Sequence, residues 1–177
     1  MKIGVLRHEK VIHRESWFLT GKKFDEGRSF YNTLPIEIAK LRIRVSDFPV
    51  CYVSTMGRAI QTATAVYPGA FHVTNALVEV MNATWLFRHL PVPTLLRKIL
   101  GRIAWYFNVK KMPETRRQSR QRARSFLDGL LAETNENTLL ITHGFFMRCL
   151  VSELKRLGFK GPTPLFPKNT KLYVFEK

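Results

Sequence analysis

Four residues in this chain could together hold and transfer an anionic group. Arg7 and His8 end a short apolar run near the N-terminus, Arg58 follows a second such run, and His143 follows a third. A guanidinium binds oxyanions through paired hydrogen bonds, and a neutral imidazole can act as a nucleophile or carry a proton. A lone Arg-His pair at a strand end is more often structural, so the chemistry requires all of these residues to meet.

The elements around these residues predict that they do meet. Residues 2–6, 50–53 and 138–142 are short apolar runs typical of buried strands, and residues 71–73 form a further short strand. In an open α/β sheet, ligands bind outside the carboxyl ends of the strands. The side chains that follow the strands are therefore expected at one edge of a sheet.

Helices alternate with these strands along the chain. We expect helices near residues 57–66, 94–107, 114–133 and 145–157, the last closed by Gly158, and another over residues 33–45 that buries Ile38, Leu41 and Val45. Residues 9–32 look like a long functional loop, and residues 171–175 like an antiparallel edge strand. The predicted fold is a single α/β domain, residues 1–177, with three αβα layers: a mostly parallel sheet with helices on both faces.

Two of the strand ends carry local signs of anion binding. Arg58 lies in the first turn of its helix, where a cation opposes the helix dipole unless a bound anion is shared with the free backbone N–H groups. His143 and Gly144 form a turn from a strand into a helix, and glycine lets a ligand approach the backbone there.

The composition indicates a folded globular protein. Of the 177 residues, 45% are hydrophobic and 12% are aromatic. No apolar run has the length of a membrane span, and the N-terminus lacks the layout of a signal peptide. Cys51 and Cys149 each lie in an apolar stretch, so we expect free buried thiols and a cytoplasmic location.

Positive charge is concentrated in one part of the chain. The net charge is +16, and residues 86–124 carry +10 of it, since Glu114 is their only acidic residue. In the helix near residues 94–107, Leu95, Leu96, Ile99, Ile103 and Phe107 share one face, with Arg97, Lys98 and Arg102 on or near the opposite side. We favour a basic, helical, cap-like segment packed over the active site that steers anionic substrates. The alternative is a segment that lies on an anionic membrane or nucleic acid, although no nucleic-acid-binding motif is present.

Three motifs together resemble the histidine phosphatase superfamily, which has the phosphoglycerate-mutase-like fold. They are Leu6-Arg7-His8, the run from Ser54 to Ala63 around Arg58, and Thr142-His143-Gly144, and they suit the short-chain phosphatase branch.

The resemblance implies a role for each residue. His8 is the nucleophile that becomes phosphorylated, and Arg7, Arg58 and His143 bind the phosphoryl group, with help from the Gly144 amide. Leu77-Val78-Glu79 matches the family's acid setting, so Glu79 is the expected proton donor. Glu9 departs from the pattern, because glycine usually follows the nucleophile; its carboxylate would repel a phosphate unless it turned toward Lys10 or Arg14.

The leading hypothesis is therefore a metal-independent phosphatase, without a cofactor, that hydrolyses a small-molecule or protein phosphomonoester through a phosphohistidine on His8. The chemistry fits, since guanidiniums and an imidazole can hold the equatorial oxygens without a metal, and the five histidines have no metal-ligand spacing. The alternatives are a non-catalytic phospho-ligand-binding protein of the same fold, and a protein that binds anionic surfaces through residues 86–124.

Overall fold

A computed structural model describes residues 1–13, 16–37, 41–82, 85 and 87–177. Its helices and strands follow one another in an alternating α/β order. In chain order they are β1 (Lys2–Arg7), β2 (Phe18–Leu19), α1 (Gly21–Tyr31), β3 (Val50–Ser54), α2 (Gly57–Val66), β4 (His72–Thr74), a 3-10 turn (Asn75–Leu77), β5 (Val92–Pro93), α3 (Thr94–Tyr106), α4 (Arg116–Glu133), β6 (Thr138–Thr142), α5 (Gly144–Arg156) and β7 (Leu172–Glu176).

The main sheet has five strands in the order β4-β3-β6-β1-β7. The strands β4, β3, β6 and β1 run parallel, and β7 pairs antiparallel with β1 at the edge, as the sequence predicts. A short ribbon of β2 and β5 is separate from this sheet.

Helices cover both faces of the sheet because its strands alternate their buried side chains. Ile3 and Val5 of β1 join a core cluster with α4 and α5, whereas Leu6 joins a cluster with α2 on the opposite face. The three αβα layers and the mostly parallel sheet are therefore confirmed. Cys51 and Cys149 are free and buried, also as expected, and burial raises the pKa of each thiol to about 12.

Two predictions about the N-terminal third are wrong. Residues 9–32, expected as a loop, contain β2 and α1, and the described part of residues 33–45 contains no helix. Instead, the Ile12 amide donates to the Pro35 carbonyl and the Glu37 amide donates to the Lys10 carbonyl. These bonds hold residues 35–37 in an extended pairing that a helix would not permit. Ile38 lies outside the described residues, and Val45 is exposed.

The α3 helix is rotated relative to its expected packing. Leu95, Leu96, Ile99 and Ile103 are exposed, as is Phe107 just after the helix, while Arg97 is 0% exposed. One nitrogen of Arg97 donates to the carbonyls of Leu19, Phe87 and Leu90 at 3.0–3.3 Å. The apolar face therefore does not pack over the rest of the protein, and the cap-like role of residues 86–124 stays a prediction.

Glu153 connects α5 to α4 through a buried carboxylate. Its side chain is fully buried and pairs with Arg120, Arg124 and Arg156 at 2.6–3.3 Å. Burial alone raises the pKa of Glu153, but hydrogen bonds from Arg156, Arg120 and Arg124 outweigh burial and hold the pKa below its ordinary value.

We expect Glu153→Gln to lower the free energy of unfolding by about 1–3 kcal/mol, because three partly exposed guanidiniums lose a buried, charged acceptor. Urea denaturation measures the change. Glu176→Gln, which removes an exposed pair with Lys2, is the control and should change stability by less than about 0.5 kcal/mol. Since the folded pKa is lowered, this stabilisation is present above the ordinary carboxyl range and is lost as the pH falls through the folded value. Equal effects of the two variants at neutral pH would contradict this account.

Candidate functional site

His8 follows β1 directly and is buried at the carboxyl edge of the sheet. Its amide donates to the Thr142 carbonyl at 2.9 Å, which continues the pairing of β1 with β6. Its Nδ1 lies 2.6 Å from the Glu9 carbonyl oxygen. A carbonyl only accepts hydrogen bonds, so Nδ1 carries the proton and Nε2 carries the lone pair of a neutral ring.

Arg58, in the first turn of α2, is directed at that lone pair. Its Nε donates to His8 Nε2 at 3.1 Å, and its Nη1 donates to Asn32 Oδ1 at 2.6 Å. The guanidinium also lies over the Tyr31 ring, 5.3 Å from the ring centroid. The cation at this helix N-terminus is therefore held in place on several sides and does not extend into solvent.

His143 is the N-cap residue of α5 and is 0% exposed. Its ring centroid lies 4.9 Å from that of His8, and its Nε2 lies 2.8 Å from Ser54 Oγ. Within the described part of the chain, its Nδ1 has no hydrogen-bond partner. A buried polar nitrogen without a partner is rare in native proteins, and a bound ligand is one explanation for it.

Arg7, the last residue of β1, lies against the start of α5. Its Nη1 donates to the Pro167 carbonyl at 2.8 Å, and its buried Nε has no partner among the described residues. A Cβ atom at position 144 would lie only 3.0 Å from this Nε. Gly144 therefore gives the Arg7 guanidinium its room, and the predicted contact of the Gly144 amide with phosphate stays a prediction.

The electrostatics of the site favour neutral histidines and a bound anion. Burial, together with the positive charges of Arg58 and Arg7, lowers the pKa of His8 from 6.5 to about 3. Burial first, then Arg58, holds the pKa of His143 well below its ordinary value. Both imidazoles are therefore neutral near pH 7, and the two guanidiniums supply the positive charge.

Glu79 lies at the N-terminus of α5. Its carboxylate accepts hydrogen bonds from the amides of Phe145 at 3.1 Å, Phe146 at 2.8 Å and Val80 at 2.9 Å. It also interacts electrostatically with Arg58. The carboxylate is therefore fixed beside the turn that carries His143, and it is not an ordinary solvent-exposed glutamate.

The segment before Glu79 is positioned by Arg122, whose part in the site the sequence analysis missed. Arg122 Nη1 donates to the carbonyls of Ala76 and Val78 at 2.7 and 3.0 Å, and its other nitrogens pair with Glu114 at 2.8 and 2.9 Å. Glu114, the only acidic residue within residues 86–124, thus orients Arg122, which in turn holds the backbone before Glu79.

Glu9 turns away from the pocket. One carboxylate oxygen accepts a hydrogen bond from the Thr170 hydroxyl, and the other accepts one from the Lys10 amide at 2.9 Å. The side chain of Lys10 pairs with Glu37 instead, and Arg14 lies outside the described residues. The negative charge at this position is therefore engaged by neighbouring polar groups.

Further residues of the site went unrecognised because they act through long-range contacts and carry no motif. Asn169 Nδ2 donates to the His8 carbonyl at 2.6 Å, and Thr62 Oγ1 accepts from the Glu9 amide at 2.8 Å. Of the unrecognised residues, only Ser54 could have been found from the sequence, because it ends β3 within the motif that carries Arg58. Together five polar residues fix the backbone and side chains around His8 and Glu79: Asn32, Ser54, Thr62, Arg122 and Asn169.

The described residues contain neither a cluster of metal ligands nor a membrane-spanning helix. No three or more His, Cys, Asp or Glu side chains in that part of the chain come together as metal ligands. None of the described helices combines the length and hydropathy needed to cross a membrane.

Comparison with known proteins gives the same fold and a family. No curated protein matches the sequence. The structural alignment with a mycobacterial hydrolase covers 98% of this chain and 90% of the hydrolase chain, with a TM-score of 0.62 and 17% identity. The fold is shared by a mycobacterial glucosyl-3-phosphoglycerate phosphatase, with a TM-score of 0.58, 15% identity and coverage of 98% of this chain and 88% of the other. It is also shared by a phosphoserine phosphatase from Entamoeba histolytica in complex with 3-phosphoglyceric acid, with a TM-score of 0.59, 12% identity and coverage of 98% of this chain and 89% of the other. The family model of the histidine phosphatase superfamily (branch 1) matches residues 25–177, and the chain belongs to this superfamily.

Proposed function

We propose that this protein is a metal-independent phosphatase that hydrolyses a phosphomonoester through a phosphohistidine at His8 Nε2. The observation that carries the proposal is the pair of contacts at His8: Nδ1 donates to the Glu9 carbonyl, and Nε2 faces the Arg58 guanidinium. The first contact fixes the reactive tautomer, and the second marks where an anion would bind.

In the first step, His8 Nε2 attacks phosphorus as the bond from phosphorus to the leaving oxygen breaks. Arg7, Arg58 and His143 bind the three equatorial oxygens, whose charge grows in the transition state. The unpartnered Arg7 Nε and His143 Nδ1 support this assignment, because each has hydrogen-bonding capacity that a phosphoryl group can use. Glu79 gives its proton to the leaving oxygen.

In the second step, the Glu79 carboxylate takes a proton from water, and the water oxygen attacks phosphorus. The bond from phosphorus to Nε2 breaks, which returns neutral His8 and releases inorganic phosphate. The low pKa of His8, caused first by burial and then by Arg58, suits this step, because a less basic imidazole leaves phosphorus more readily.

We infer that the substrate is a small phosphorylated molecule or a phosphorylated protein side chain. Similar folds occur in proteins named as phosphatases of glucosyl-3-phosphoglycerate and phosphoserine, which supports small phosphomonoesters. We also propose that residues 1–177 act as one domain in the cytoplasm, consistent with two free thiols, and that the basic residues 86–124 steer anionic substrates.

His8→Ala should abolish turnover of a generic aryl phosphate, by at least about a thousandfold, because the nucleophile is removed. The measurements are steady-state hydrolysis and rapid-quench labelling, in which wild type gives an acid-labile, alkali-stable phosphoenzyme. His72→Ala, on the exposed edge strand β4, is the control and should retain activity. Saturable phosphate binding by wild type without labelling or turnover would instead identify a non-catalytic phospho-ligand-binding protein.

Arg58→Gln should raise the pKa of His8 above about 3 while leaving it below 6.5, because burial is the larger cause of the shift and Arg58 the second. Titration of the His8 ring by NMR measures this change. The control is Arg44→Gln, which removes an exposed pair with Asp47 and should leave the His8 titration unchanged.

The lowered pKa of His8 also makes the stability of the protein depend on pH. The unfolded chain takes up the His8 proton near pH 6.5 while the folded chain does so near 3, so this residue makes folding less favourable as the pH falls between those values. A wild-type His8 that titrates near 6.5 in the folded protein would contradict the buried, neutral nucleophile.

Glu79→Gln should slow hydrolysis of an alkyl phosphate more than hydrolysis of p-nitrophenyl phosphate, since a nitrophenolate leaves readily without a proton. We expect a difference of about tenfold or more between the two losses in kcat/KM. The exposed Glu136→Gln is the control and should show no such difference. Equal losses with both substrates would mean that Glu79 caps α5 without donating the proton.

A further inference from the structure

The exposed side of α3 is the least explained surface of this protein. We define the α3 face as Leu95, Leu96, Ile99, Ile103, Tyr106 and Phe107. Leu95 is 70% exposed and Phe107 72% exposed, although both are large apolar residues. Contiguous apolar surface of this kind marks an interaction site in most proteins.

The orientation of α3 is fixed, so the α3 face cannot turn inward. Arg97 donates to three carbonyls on the opposite side, Arg102 Nη1 donates to the Val80 carbonyl at 3.0 Å, and Trp105 Nε1 donates to Ser119 Oγ at 3.0 Å. Rotating the helix to bury the leucines would break these bonds and expose Trp105. The outward apolar face is thus built into the fold.

Further exposed aromatic residues extend the α3 face at both ends. Near its start, the Thr94 amide donates to the Trp17 carbonyl at 2.9 Å, and the Trp17 side chain is 87% exposed. Toward its end, Phe166, 82% exposed, lines a groove of about 450 Å³ together with Ile103 and Phe107. Exposed tryptophan and tyrosine are typical of surfaces that lie at a lipid headgroup layer.

Positive charge surrounds this apolar surface. Lys98, Arg102 and Arg148 line the same groove, and the Arg116 guanidinium lies 4.4 Å from the Tyr106 ring centroid. Arg116 also lines a second groove of about 650 Å³ whose other charged lining residues are Arg117, Arg120 and Arg124. The apolar face is therefore continuous with a strongly basic surface.

We propose that the α3 face docks on an anionic lipid bilayer and inserts its apolar side chains among the headgroups and upper acyl chains. Apolar side chains with a basic rim match this partner in both respects, because lipid accepts the leucines and isoleucines while anionic headgroups attract the arginines. A nucleic acid would leave the apolar side chains without a partner. A second copy of the chain would bring two strongly basic surfaces together, which repel each other.

Docking would also hold the proposed active site close to the membrane. Phe145 lines the groove with its side chain and donates its amide to Glu79. Docking depends on the exposed apolar side chains of the α3 face and on the positive charge around it, and it does not require catalysis.

The test is flotation of the full chain with vesicles of phosphatidylcholine, with and without phosphatidylglycerol. We expect the protein to float only with phosphatidylglycerol present, and less as salt is raised. Ile99→Ser/Ile103→Ser should weaken binding by about tenfold, because each side chain is 48% exposed and would lose its lipid contact. Ile12→Ser/Val73→Ser replaces exposed aliphatic residues (56% and 49%) outside the α3 face and should bind like wild type.

Each other outcome overturns the proposal. No flotation at low salt, or flotation that the α3 variant does not weaken while it remains folded by circular dichroism, would exclude lipid insertion of this face. A short DNA duplex that binds wild type and the α3 variant equally, without vesicle binding, would identify a nucleic-acid surface. If wild type sediments as a dimer, the α3 variant sediments as a monomer and neither binds vesicles, a second copy of the chain covers the α3 face.

Discussion

The hydrogen bond from His8 Nδ1 to the Glu9 carbonyl decides which ring nitrogen keeps its lone pair, and the rest of the site is arranged around it. At 2.6 Å this bond holds the proton on Nδ1 and turns Nε2 toward Arg58. Burial and nearby guanidiniums then keep the ring neutral, since a second proton would add a charge where two cations already lie. The backbone at residues 8 and 9 must stay in place for this arrangement. Thr62 and Asn169 hold it there, one from α2 and the other from the loop before β7.

The central strands and the convergence of the site were predictable from the sequence because local signals carry them. Continuous apolar runs specify β1, β3 and β6, and parallel strands bring their carboxyl ends to one edge. That rule alone places His8 and His143 together, and the structure has their rings 4.9 Å apart. Glu79 was recognised by family resemblance, whereas its contacts with the α5 amides come only from the fold.

The failures come from places where distant contacts override local pattern. Pro35 suits a helix start, but residues 35–37 pair with residues 10–12, which no short window of sequence reveals. In α3, the apolar spacing predicts an inward face, but Arg97 donates to three carbonyls from two distant segments, one at Leu19 and the other at residues 87–90, and these bonds set the rotation. A hydrophobic pattern shows that a helix has two faces, and only tertiary partners decide which one is covered.

The position of β7 has a consequence for how the protein is made. β1 lies between β6 and β7, so both of its neighbouring strands come from residues far along the chain. The contacts of Arg7 with Pro167 and of His8 with Asn169 come from there as well. Because synthesis proceeds from the N-terminus, β1 is made before β6 and β7, and both of its edges stay unpaired until those strands are available. The surroundings of His8 are thus complete only when residues 138–176 have left the ribosome. A nascent chain that stalls before that point carries His8 but lacks the strands and side chains that bury and orient its ring.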